Sequence, residues 1–461
     1  MAGVKALLGL ALISATQGQM LPRMAAQFHL KQAAFIEIWE KTHYSNDTAN
    51  YADRYNMFLT TFNPFAFYIH DPVYEIPAPG KLLSSNADGP TWEASLKKMG
   101  GRNTAYWPNY PVRLPYELGG FDGIVQTSGF LVPGHEYGQL EVYNTEEGNE
   151  GGPWNIAAKA EDGGDWSYHW VIFKDVDGDG LLDVMAARFH VSLTGSTNSQ
   201  LIWLQNPGGL TPDDRNKEWS SGWRCHIIYE AGPDVRIENR VYAKPDGTKF
   251  DVIMGAELWN QQLGLYYVED KPGAWNFSFP NSPDIKRLIL DKYDGQPFEA
   301  NFMDLNNDGV EEIVVSYYDV GLKKGQFVAY QLTDPDNWDT VNGWTKRVIR
   351  GDFLLHDAHY SKGDMTPGKH RLFYPSKEYE STHNKPYIFL AGDDNGNHYI
   401  LSPKDDDDKD NWEYNMSALL VTGGKTTGTM GIADIDGDGY TDIVAAGYTA
   451  GQVYVYTYAP L

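Results

Sequence analysis

One cysteine, Cys225, stands among 461 residues, which excludes an intrachain disulfide. Beyond the first residues, no apolar run is long enough to cross a membrane as a helix. Basic side chains are scarce: 37 Lys and Arg face 62 Asp and Glu, a formal net charge of −25. A surface of that sign repels nucleic acid and anionic membranes, so neither is an expected partner. Hydrolase and nucleotide-binding signatures are missing too. There is no Gly-x-Ser-x-Gly elbow, no His-Glu-x-x-His, no phosphate-binding Gly-rich loop and no Cys/His zinc spacing. An enzyme with this sequence must work with scattered side chains.

The N-terminus carries the marks of export. Lys5 gives a positive start, residues 6–13 an apolar stretch and Ser14-Ala-Thr16 the small residues of a cleavage site, so residues 1–18 read as a secretory signal. Sequons at Asn46, Asn276 and Asn415 fit glycosylation on that route, and the expected location is secreted or within the secretory lumen. Residues 19–55 differ in texture from the remainder of the chain. Phe28, Phe35, Ile36 and Trp39 fall at helical spacing, which predicts an amphipathic N-terminal helical extension. From residue 56 to 461 the texture is short apolar or alternating runs broken by Gly, Pro, Asn and Asp, the texture of strands and turns.

Three stretches share one grammar. Asp175-Val-Asp177-Gly-Asp179-Gly180-Leu-Leu-Asp183, Asp304-Leu-Asn306-Asn-Asp308-Gly309-Val-Glu-Glu312 and Asp434-Ile-Asp436-Gly-Asp438-Gly439-Tyr-Thr-Asp442 each run into an apolar β-type segment. Oxygen-bearing side chains stand at positions 1, 3, 5 and 9 with glycine at position 6, as a hard cation such as Ca²⁺ requires. An EF-hand would continue into a helix with Glu at position 12; here that position is Ala186, Val315 or Ala445 within a strand-like run. The expected cofactor is structural Ca²⁺, a staple for a secreted chain without disulfides.

The ninth loop positions also set a period. Anchors at Asp183, Glu312 and Asp442, with degenerate partners at Asp122, Asp251 and Arg371, recur roughly every 60 residues with about four short strands per unit, the signature of β-propeller blades. Residues 56–115 have the length of a seventh unit, so an all-β propeller of seven blades is expected, six being the alternative. The last unit ends after three strands at Gln452-Val-Tyr-Val-Tyr-Thr-Tyr458, and an N-terminal strand must complete it.

The three loops resemble the FG-GAP/VCBS repeats of integrin-type propellers. That resemblance implies calcium in the loops and a propeller fold over residues 56–461, but little about activity. The layout and the Ile202-Trp-Leu-Gln-Asn-Pro-Gly208 turn are similar, more weakly, to secreted fungal propeller enzymes. Among these are the hetero-Diels–Alderases of tropolonic sesquiterpenoid pathways and the propeller part of aldos-2-ulose dehydratase.

If each metal loop follows the innermost strand, residues four to eight positions before it lie at that strand's other end, near the channel mouth. The register selects His169 and Trp170, then Glu238, Asn239 and Arg240, then Glu299 and Asn301, and in the degenerate unit His356, Asp357 and His359. Such a mixed ring can move protons or hydrogen-bond a small organic substrate. It differs from blade to blade, which favours one asymmetric site over a multivalent lectin. The expectation is an enzyme acting at the channel, with hetero-Diels–Alder cyclisation leading, a glycan-binding lectin or adhesion module as the alternative, and a sugar dehydratase or lyase as a further one. The adhesion alternative draws on Arg350-Gly-Asp352; the run Asp405-Asp-Asp-Asp-Lys409 reads as a solvated acidic loop.

Overall fold

The computed structural model describes residues 19–461 apart from 43–47, 64–69, 102–104, 130–136, 148–150, 158–164, 193–195, 210–221, 358–363 and 422. The signal at 1–18, the sequon at Asn46 and the candidate His359 therefore lie outside the described residues.

Short apolar runs become the middle strands of four-stranded antiparallel sheets. In one of these sheets Ser167–Lys174, Asp183–Val191, Thr197–Gln205 and Arg224–Glu230 pair in that order. Val184, Met185, Ala186 and Ala187 are all buried, because a middle strand is covered on both faces by adjoining blades. That explains why it reads as a continuous apolar run instead of alternating. Seven such sheets form the ring. Their first strands are Ala33–Glu40, Pro108–Leu114, Ser167–Lys174, Arg236–Ala243, Gly295–Met303, His370–Phe373 and Met430–Ala433. First strands of neighbouring blades touch around most of the ring, and Asn301 bonds His370 between the fifth and sixth. The sequence expectation of a seven-bladed propeller holds.

The ring closes as a three-stranded last unit requires. Arg23–His29 pairs antiparallel with Gln452–Thr457, completing the seventh blade from the opposite end of the chain.

The expected N-terminal helix is corrected. Residues 23–29 and 33–40 are two strands joined by a tight turn at Lys31 and Gln32, the latter with φ of +56°. The second is the innermost strand of the first blade, so the propeller begins well before residue 56. Ile36 and Ile38 are buried on one face while Ala33 and Glu37 are buried too. A strand buried on both faces places apolar residues at every spacing, helical ones included, and periodicity then cannot separate strand from helix.

A second correction concerns the sixth blade. The anchor at Arg371 was expected to open a second strand, but His370–Phe373 is the innermost strand and Tyr387–Ala391 is the second. The connection between them holds a short helix, Lys377–Thr382, capped by the Ser376 hydroxyl accepting from the Tyr379 amide. It has no trace of the cation pattern, so the register carried no information there.

Candidate active site

All three acidic loops sit at the C-terminal ends of innermost strands, and Asp183, Glu312 and Asp442 open the second strands. At the opposite end the channel widens into a cavity of about 260 Å³. Every blade contributes one residue at or beside the start of its first strand: Phe35, Asn109, His169, Val235, Phe298, Lys369 and Thr429. Phe62, Phe189, Leu258 and Met365 extend the apolar wall, while Asp393, Asp394, Thr426 and Thr427 form a polar flank.

His169 is 5% exposed, and its Nδ1 has no hydrogen-bond partner. Phe189 and Phe298 stand beside the ring with centroids 5.7 Å away. Burial pulls its pKa down to about 4, so the imidazole is neutral near pH 7. Asn109 donates its amide to the carbonyls of Gly129 and Tyr168, at 3.0 and 2.9 Å, leaving its Oδ1 buried without a partner. Asp394 accepts from the Met365 amide and the Thr426 hydroxyl, and burial raises both its pKa and that of Asp393.

Below the cavity the channel is filled by a buried ionic network. Glu299 accepts from the Tyr110 hydroxyl at 3.1 Å and from the Asn301 amide at 3.0 Å. Arg236 and Arg371 approach the same carboxylate at 3.8 and 3.9 Å. Arg236 also donates to Glu238 at 2.7 Å and to the Asn301 carbonyl at 2.6 Å, and its guanidinium lies 3.4 Å from the Trp170 ring centroid. Burial alone would push the Glu299 pKa up; Arg236, Arg371 and Lys369 together overcome this and hold it at about 2. Lys369, 1% exposed, pairs with Glu37, which Arg371 also reaches at 3.5 Å. Burial and the neighbouring Arg371 bring the Lys369 pKa down to about 8. His370 joins Asn301 to the Ser316 hydroxyl, at 3.1 and 3.0 Å, and burial keeps it neutral with a pKa of about 3.

The strand-end register brings some of its residues to the channel and leaves others away from it. His169 lines the cavity, Glu299 and Asn301 sit in the network beneath it, and Glu238 supports Arg236. Arg240 does not join them: it pairs with Glu311 at 2.8 Å, at the acidic-loop end of its strand. Asn239 instead bonds Asp251. His356 and Asp357 are exposed in the segment before the sixth blade, where Asp357 pairs with Lys425 at 2.6 Å, and they do not line the cavity. The misplaced Arg371 anchor is the cause. Counting from the true strand start would have found Lys369, His370 and Arg371. Glu37 was hidden by the helical reading, and Arg236 and Tyr110 carried no motif.

Two surface readings can be placed on the structure, and Asp405, Asp407 and Asp408 are exposed as the solvated-loop reading expects. Arg350 and Asp352 lie in the strand Trp344–Phe353 and pair with each other at 2.5 Å, which gives no support to an adhesion turn. The acidic run is an ordered loop folded around the buried ammonium of Lys385, which donates to the carbonyls of Asp405 at 2.9 Å, Asn411 at 2.7 Å and Asp408. A tethered cation fills that loop.

In the acidic repeats, Asp175, Asp177 and Asp183 bring carboxylate oxygens within 4.8 Å of one another, as do Asp434, Asp436 and Asp442. Asp179 and Asp438 accept the amides of Leu181 and Tyr440 across the turn. In the middle loop Asp304 accepts the amides of Asp308 and Gly309, Asn306 donates to Asp308, and Glu312 accepts the Leu305 amide. Gly180, Gly309 and Gly439 adopt φ near +90°, a conformation side chains disfavour. The ninth positions are buried: the pKa of Asp183 rises to about 6 and those of Glu312 and Asp442 to about 8. Asp442 Oδ1 is buried without a hydrogen-bond partner. Convergent, desolvated carboxylates with an unmet acceptor suit a hard divalent cation. Of the sequons, Asn276 is exposed and Asn415 half-buried. No helix among the described residues is long and apolar enough to cross a membrane.

No protein family and no curated protein matches the chain. Several solved propellers are similar in outline. The Dos1 propeller shares 9% identity with a TM-score of 0.44, covering 95% of this chain and 96% of that one. The polysaccharide lyase Uly1 shares 10% identity, a TM-score of 0.39, and 95% and 99% coverage. The α-L-arabinofuranosidase Arb93A from Fusarium graminearum shares 10% identity, a TM-score of 0.36, and 95% and 97% coverage. At these values none of them bears on the chemistry of the site.

Proposed function

We propose that the chain is a secreted, calcium-stabilised propeller enzyme that performs a hetero-Diels–Alder addition on a small organic substrate at the channel mouth. The observation that carries this reading is the cavity itself: phenylalanine walls with polar side chains of His169, Asn109 and Lys369 and a polar flank of Asp393, Asp394, Thr426 and Thr427. A conjugated carbonyl and an alkene combine in one concerted step that transfers no proton. The protein's work is to hold the partners in near-attack geometry and to stabilise charge on the carbonyl oxygen. Phe35, Phe189 and Phe298 supply flat walls for the unsaturated partners. Neutral His169 supplies a hydrogen bond, and Lys369 lines the same cavity.

The test uses a tropolone-type conjugated carbonyl and a sesquiterpene alkene, with product stereochemistry read by chiral chromatography. The wild type is expected to give one stereoisomer faster than buffer, and His169→Ala to lose on the order of 100-fold in kcat/KM. A wild-type rate and product mixture equal to buffer would overturn the proposal. Specific glycan-array binding alongside would favour the carbohydrate-binding alternative.

Calcium belongs to the same proposal, held by Asp175, Asp177, Asp179 and Asp183, by Asp304, Asn306, Asp308 and Glu312, and by Asp434, Asp436, Asp438 and Asp442. Its role is to fasten the first two strands of three blades. A site kept at a hundred times its Kd adds about 2.7 kcal/mol. Chelation is thus expected to lower the melting temperature by about 3 °C per site, taking about 2.1 cal/mol/K per residue for the unfolding entropy. An unchanged melt in excess EGTA would refute the structural role.

A further inference from the structure

Lys369 is unusual among the cations of this chain. Its side chain is fully buried, yet it forms part of the cavity wall, with aromatic neighbours instead of solvent. Its ammonium lies 4.7 Å from the Tyr110 ring centroid, and Phe35 packs on that ring at 4.6 Å. Glu37 sits directly against the nitrogen but does not line the cavity, so it stands behind the amine as a proton acceptor. Arg371 follows two residues later, on the innermost strand that begins at His370, and reaches the same carboxylate. The other charged or titratable groups around the amine are Glu299 of the fifth blade, Tyr110 of the second and the adjoining His370, while Asp393 and Asp394 line the same cavity. Desolvation and an adjacent cation are the two devices that free a lysine amine for nucleophilic work.

We propose that Lys369 is a nucleophilic amine that captures apolar aldehydes and ketones entering the cavity as a covalent imine, with Glu37 as its proton acceptor. Glu37 takes one ammonium proton, and the freed nitrogen lone pair forms a bond to the carbonyl carbon. The carbonyl π pair moves to oxygen, which takes a proton from the attacking nitrogen to give a neutral carbinolamine. The hydroxyl then leaves as water with the proton held by Glu37, and the nitrogen lone pair forms the C=N bond of a protonated imine facing the Glu37 carboxylate. Ammonium plus carbonyl gives protonated imine plus water, and nothing is oxidised or reduced. This goes beyond the cycloaddition reading and does not depend on it, since the adduct is scored without any cycloadduct.

The lowered pKa supports the geometry. With a value of about 8, roughly a tenth of the amine is neutral at pH 7, against about one part in 2,500 for an ordinary lysine.

The experiment incubates the intact chain at pH 7 with benzaldehyde and sodium cyanoborohydride, which reduces an imine to a stable benzylamine. Intact-mass and peptide mass spectrometry then locate the label. Lys369 is expected to be benzylated at least tenfold faster than the median surface lysine. Labelling at 369 should vanish in Lys369→Met and slow in Glu37→Gln, both checked for folding by circular dichroism. In the wild type, whose fold is not at issue, a saturating apolar ketone should protect Lys369 alone. Labelling at 369 no faster than at surface lysines, or unaffected by the ketone, overturns the assignment.

Discussion

Replacing Glu299 by alanine is expected to lower the stability of the chain by about 3–5 kcal/mol, the penalty for leaving buried charges without their partner. The carboxylate is 1% exposed and stands between Arg236 and Arg371, with hydrogen bonds from Tyr110 and Asn301. Its removal leaves more positive than negative charge in the channel, around an Arg236 side chain that is 3% exposed. With an unfolding entropy of about 2.1 cal/mol/K per residue, the drop in melting temperature is about 3–5 °C. Glu299→Gln keeps an acceptor for Tyr110 while removing the charge, so comparing the two variants separates charge from hydrogen bonding. The same group makes an acid-side prediction. A carboxyl held at about 2 in the folded chain, against 4.5 ordinarily, adds stability above pH 4.5 that is lost as pH falls through 2. The wild-type chain should therefore lose about 3 kcal/mol more than Glu299→Gln across that window, measured by urea unfolding. Equal pH dependence in both would show that Arg236 and Arg371 are balanced by other groups.

The architecture was readable because the acidic loops repeat a fixed offset from two strands of each blade that carries them. Asp183, Glu312 and Asp442 open second strands as expected, and the same offset points to His169, which lines the cavity, and to the buried Glu299. Where a blade lacks the loop, the ruler fails: Arg371 lies on the innermost strand and not at the start of the second, so the same offset points to His356 and Asp357, which are exposed. Glu37 illustrates a different limit. An innermost strand has neighbours on both faces, so apolar and charged residues alternate without a solvent face to mark the period. The ionic network was invisible for a more basic reason. Glu37, Tyr110, Arg236, Glu299 and Lys369 come from five blades, and no sequence spacing links residues that meet across a channel. Even so, a chain with many more acidic than basic residues places three arginine or lysine side chains, Arg236, Lys369 and Arg371, around Glu37 and Glu299 at its centre.

Deleting residues 19–30 is expected to abolish the folded monomer. Arg23–His29 is the outer strand of the seventh blade, so its loss leaves Gln452–Thr457 with an unpaired edge. An open edge offers free amides and carbonyls to any passing strand, and propellers avoid this by closing the ring. The lost contacts are substantial as well. Phe28 is 2% exposed and stacks on Trp92 at 6.0 Å, Leu30 is buried, and each contributes about 1.5–3 kcal/mol. Arg23 donates to the Ala459 carbonyl at 2.9 Å, tying the two chain ends together. The truncated chain should elute as soluble aggregate on size exclusion and lose its cooperative thermal transition. A synthetic peptide of residues 19–31 added in excess should restore both, because the missing strand can pair as a separate chain. A truncated protein that stays monomeric and melts at the wild-type temperature would show that the first and seventh blades hold the ring without the closing strand. The acidic loop at 434–442 would then be a better candidate for the seventh blade's main fastening than its fourth strand.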